Sequence, residues 1–77
     1  MTPQEIARRW RASQDDETLT SGFVLIWNGM VTGWRDRLGD PQQDVPGVIA
    51  VDVKGQAFVA EGGDDVSGAK CWRPIKP

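Results

Sequence analysis

The order of patterns along the chain predicts an α+β domain, with one N-terminal helix packed on an antiparallel sheet of four or five strands. Three observations carry this. A helix start stands at residues 2–5, and two consecutive β-hairpin signatures follow at 22–36 and 48–60. The whole chain is 77 residues long, which allows one small domain over 1–77.

Thr2 fits an N-cap, Pro3 the first helical position, and Glu5 follows Thr2 at the capping-box spacing. Ile6 and Trp10 are four apart and share a face, with Ala7 beside them. Glu5 near the start and Arg8, Arg9 and Arg11 toward the end complement the helix dipole. The helix is expected over residues 3–13. Asp15, Asp16 and Glu17 would oppose the dipole at a helix C-terminus, so they are assigned to the exit loop.

Residues 22–36 hold the strongest hairpin signal. Phe23–Trp27 is β-branched and aromatic, and Asn28-Gly29 suits a two-residue turn in which both positions need positive φ. With that turn Trp27 faces Met30, Leu25 faces Thr32 and Phe23 faces Trp34, all on one side of the ribbon. Val24, Ile26, Val31 and Gly33 take the other side. Both sides are largely apolar, which predicts a ribbon buried on both faces or one that turns a face to a partner.

Residues 38–47 read as a loop by composition, and a loop this long in so small a domain is expected to be functional or mobile. The second hairpin is expected to turn at Lys54-Gly55. That places Ile49, Val51, Val53, Phe58 and Ala60 on one face, and Val48, Ala50, Asp52, Ala57, Val59 and Glu61 on a wetter one. Residues 69–75 suggest a fifth strand that Pro74 confines to an edge.

Size and composition narrow the function. A chain this short buries only about 60% of its unfolded surface, so the core is small. The four Trp are therefore expected to fill much of it, and oligomerisation is the other remedy for a small core. Without a single His, no Ser–His or Cys–His pair and no mixed zinc site can form. Glu61, Asp64 and Asp65 lack the spacing of a calcium loop and read as turn residues. The glycines lie at turns and strand ends, with no phosphate-cradling pattern. No metal, no cofactor and no enzymatic activity are expected.

The chain has one Cys and carries no basic-then-apolar leader or membrane-length apolar run, which suggests a cytoplasmic protein with no membrane contact. Cys71 is expected to be a small, buried or half-buried residue of the last strand. The net charge of −2 argues against binding to duplex nucleic acid.

What remains is a surplus of Trp and Arg, the residue types enriched at interface hot spots. The sequence therefore predicts a small non-enzymatic protein-interaction module, a regulator or inhibitor of a larger protein, that could also self-associate. The candidate contact residues are Trp34, Arg35, Arg37 and Trp72, followed by Arg8 and Arg11. The alternative is a module for single-stranded nucleic acid, in which Trp stacks on bases and Arg tracks phosphates.

Overall fold

The computed structural model describes residues 2–15 and 21–75. It consists of α1 (Pro3–Ala12), β1 (Phe23–Trp27), β2 (Met30–Arg35), β3 (Ile49–Val51), β4 (Ala57–Glu61) and β5 (Cys71–Ile75). The five strands form one open antiparallel sheet in the order β2-β1-β3-β4-β5, and α1 packs on one face of it. This is the α+β architecture that the sequence predicts. Asp16 and Glu17, assigned above to the exit loop, lie outside the described residues.

Helix α1 starts as its cap dictates. Thr2 is extended and its hydroxyl accepts the Glu5 N–H at 3.2 Å. The helix ends at Ser13, whose N–H bonds back to the carbonyls of Arg9 and Trp10. Ala7 is buried, and Ile6 and Trp10 pack beside it over Val24, Ile26, Val51 and Ala57.

The first hairpin turns at Asn28 (φ +51°) and Gly29 (φ +76°), and Trp27 pairs with Met30 as expected. The register then shifts between Leu25 and Ile26. Leu25 pairs with Gly33, Val24 with Trp34 and Phe23 with Arg35. Thr32 is the extra residue of a β-bulge, and its hydroxyl donates to the Leu25 carbonyl at 3.4 Å. The expected pairs Leu25–Thr32 and Phe23–Trp34 are thus corrected. A turn sets register only as far as the next bulge, and one extra residue carries Trp34 to the opposite face. There the indole packs against the α1 side of the sheet and donates to the Ser21 carbonyl at 2.7 Å. Gly22 permits this approach, because a Cβ there would lie 2.8 Å from the ring.

The second hairpin is corrected in the same sense. Asp52 and Gln56 close a three-residue turn, Val53-Lys54-Gly55, through the Asp52 N–H to Gln56 carbonyl bond of 2.9 Å. Gly55 takes the left-handed position (φ +86°), and the Asp52 carboxylate accepts the N–H groups of Lys54 and Gln56. An odd-length turn inverts the parity of the return strand. Ile49 pairs with Val59, Ala50 with Phe58 and Val51 with Ala57. Ile49, Val51, Ala57 and Val59 therefore share the helix side, while Ala50, Phe58 and Ala60 face away. That second face is not wetter, because Ala50 and Ala60 are buried on it.

What covers it is the long loop. Strands β2 and β3 flank β1 and both run antiparallel to it, so residues 36–48 form a crossover between parallel strands. They pass over the face opposite α1. Leu38 and Val45 pack there with Phe23, Trp27 and Trp72 around Leu25, Val48, Ala50, Ala60 and Ala69. The loop is ordered, with a single 3-10 turn at Pro41–Gln43 capped by Asp40. Its far end is tied by the Ala69 N–H to the Asp44 carbonyl at 2.8 Å, and the Trp72 indole donates to the Gly39 carbonyl at 3.1 Å. Arg35 forms a bidentate pair with Asp44. The first hairpin is thus buried from both sides at β1, where Val24 is 0%, Leu25 5% and Ile26 2% exposed.

Asp44→Ala removes the carboxylate from a half-buried guanidinium and is expected to cost about 2 kcal/mol, between the values for exposed and buried pairs. A urea titration read by Trp fluorescence checks it. A midpoint within error of the wild type would show that the pair does not hold the crossover.

Candidate functional site

The expected contact residues do not form one patch. Trp34 lies on the helix side of edge strand β2, and Trp72 lies on the opposite face of the other edge strand, β5. Both indole N–H groups are already bonded to backbone carbonyls. Arg35 is engaged by Asp44, and Arg37 is exposed at the start of the crossover. Arg8 and Arg11 are the two that meet, at a cleft between α1 and the 52–56 turn.

This cleft has a volume of about 240 Å³ and is lined by Gln4, Arg8, Arg11, the stretch Val51–Val53, and Lys54 and Gly55. Gln4, Arg8 and Arg11 stand at i, i+4 and i+7 on α1, which places them on one helix face. Arg11 builds the back wall. Its Nη1 donates to the Asp52 carbonyl at 3.0 Å, and its Nη2 donates to Gly22 at 2.9 Å and Val51 at 3.1 Å. Its Nε is buried without a partner among the described residues. All three acceptors are neutral. Burial pulls the Arg11 pKa down and the nearby Asp52 carboxylate opposes this. That carboxylate is itself occupied by the Lys54 and Gln56 amides.

The rim is different. Arg8 and Lys54 are exposed, and neither has an ion pair among the described residues. Val53, next to Lys54 on the turn, lines the same cleft and is 53% exposed. A larger recess of about 480 Å³ shares Lys54 and Gly55 and continues along Phe58, Pro74 and Ile75. The smaller cleft gathers three cations against one carboxylate, so its field favours an anionic ligand. Comparison of the chain with protein-family models, with curated proteins and with solved structures finds no match to any of them.

No group of three or more His, Cys, Asp or Glu is gathered among the described residues. No helix among them is long and apolar enough to cross a membrane. Cys71 is exposed rather than buried or half-buried, because α1 packs over β1, β2 and β3 and leaves the first residue of β5 uncovered.

A second feature stands at the far end of β4. In the 64–68 turn the Asp64 carboxylate accepts the N–H groups of Val66 (3.0 Å) and Ser67 (2.6 Å), and Asp64 and Gly68 exchange backbone bonds. These bonds, those from Ser67 foremost, hold the Asp64 carboxyl below the usual carboxylate range. A carboxyl with a depressed pKa stabilises the fold above its unfolded pKa, and that contribution is lost as pH falls through the lower, folded pKa. Acidification is therefore expected to open this turn below the range where an ordinary Asp titrates. The check is amide exchange at Val66 and Ser67 across an acid titration. Asp64→Asn should abolish the transition, and a transition retained in that variant would refute its assignment to Asp64. The turn displays Val66, 96% exposed, at its tip.

The sequence reading missed Gln4, Asp52, Val53 and Lys54 as neighbours of the arginines. The helical spacing of Gln4, Arg8 and Arg11 was visible, but that the 52–56 turn closes on it is a tertiary fact.

Proposed function

We propose that this chain is a small non-enzymatic protein-interaction module, a regulator or inhibitor of a larger protein, whose docking surface is the cleft between α1 and the 52–56 turn. The observation that carries this is the rim: two exposed cations with no ion partner among the described residues line the same cleft as an exposed Val53. An apolar contact ringed by charge is the usual anatomy of a small interface. The partner is a protein that brings acidic side chains to Arg8 and Lys54, with Arg11 as the fixed wall behind. Trp34 and Trp72 pack one under each covering layer of the sheet, outside the lining of this cleft. A reducing, cytoplasmic setting suits the exposed single thiol of Cys71.

The test compares immobilised wild-type chain with Arg8→Glu/Lys54→Glu, both verified as folded by circular dichroism. Retention of the same protein by the wild type and its loss from the variant is the expected result. Identical retention by both, or binding of single-stranded DNA at low salt that the variant loses, would overturn the reading.

A further inference from the structure

Resting on that reading of the cleft, we propose that its occupant is a second copy of this chain, which inserts its Val66 turn, so that copies associate head to tail. Three large apolar side chains are exposed among the described residues: Met30, Val53 and Val66. Two of them mark the two ends of β4. Val53 rims the cleft, and Val66 tips the turn that follows the strand. Strand β4 has five residues, which separates the two ends by about 16 Å along the sheet. A contact between unlike ends can therefore not close within one copy.

The chemistry of the two ends is complementary. The cleft offers Arg8, Arg11 and Lys54 against Asp52. The turn offers Asp65 immediately before its tip, with the negative charge of Asp64, whose carboxylate is held by the Val66 and Ser67 amides, behind it, while Glu61 is neutralised by Arg73 and Lys70 lies with its stem along Gly62. Val66 is held in place by Asp64 and Gly68 before any contact is made, so little ordering cost falls on association. The cleft has room for an aliphatic side chain and an adjoining carboxylate. Contact between two different patches is heterologous, so it generates rings or open chains rather than a two-fold dimer. The area at stake is small, so the association is weak, salt-sensitive and visible at high concentration.

The experiment is sedimentation velocity on the purified chain from micromolar to millimolar concentration at low salt. The wild type is expected to show a mass average that rises with concentration and falls back when salt is added. Arg8→Glu/Lys54→Glu and Asp65→Lys, which change exposed residues only, should each weaken association by roughly tenfold or more alone. Their equimolar mixture should restore it, because each reversed charge then meets its opposite. Circular dichroism and Trp emission confirm that each variant is folded. A wild type that stays monomeric throughout, or variants that associate like the wild type, or a mixture that restores nothing, would overturn the proposal. Should the wild type be monomeric while capture of another protein still depends on Arg8 and Lys54, only the identity of the occupant falls.

Discussion

Gly68→Ala is expected to destabilise the domain by at least about 3 kcal/mol, a large share of what a domain of this size possesses. Gly68 has φ +84°, where an L-residue is strained, and an added Cβ would lie 2.1 Å from the Gln42 carbonyl oxygen. The nearest atoms are all Gln42 backbone, so no side chain can swing away. To relieve the clash, the 62–68 segment must move off the Pro41–Gln43 turn. That breaks the Ala69–Asp44 bond and loosens the Leu38 and Val45 cover of the second face. Gly29→Ala is the control. Its φ is +76° but nothing lies within 4 Å of the added carbon, so only the local strain of about 1 kcal/mol is expected. Urea unfolding of both variants decides it. Equal losses would mean that the Gly68–Gln42 approach carries no stability of its own.

The second large effect is expected at Arg11. Its fork binds three backbone carbonyls on two segments, Gly22 before β1 and Val51-Asp52 at the end of β3. Arg11→Ala leaves those carbonyls short of a donor and unties α1 from the sheet, which should cost about 3 kcal/mol. Arg11→Lys keeps the charge but not the planar fork, and should recover less than half of the loss. Arg8→Ala, three residues earlier and exposed, should change stability by no more than about 0.5 kcal/mol. Thermal unfolding of the three variants separates a geometric role from a merely electrostatic one. A lysine variant as stable as the wild type would show that charge alone suffices.

Local chemistry made most of the elements legible. Thr2, Pro3 and Glu5 announce the helix, Asn28-Gly29 the first turn, and Pro74 the edge strand, because each acts through its own backbone geometry. The faces were harder. Which side of the sheet Trp34 or Phe58 occupies depends on parity, and parity depends on single extra residues: Thr32 in the bulge and one more residue in the 53–55 turn. The signal for the latter was Asp52, whose side chain caps its own turn, with Gly55 three residues on. The cover supplied by residues 36–48 was not legible either. Leu38 and Val45 are isolated apolar residues in a polar stretch, and only the strand order reveals that the stretch must cross β1. The candidate cleft divides the same way. Its helix face could be read from spacing, whereas its turn wall is a product of packing.

Strand β1 sits where every surface is taken: β2 and β3 pair with its edges, α1 covers one face and the crossover the other. Its sequence, Phe-Val-Leu-Ile-Trp, is also the segment with the composition most prone to cross-β stacking: uncharged, β-branched and aromatic, without Pro or Gly. The native state therefore acts as a sheath for its own most adhesive segment. Loss of either covering layer turns a folding defect into a solubility defect, so the damage from a change at Gly68, Arg11 or Asp44 grows with protein concentration as well as with temperature.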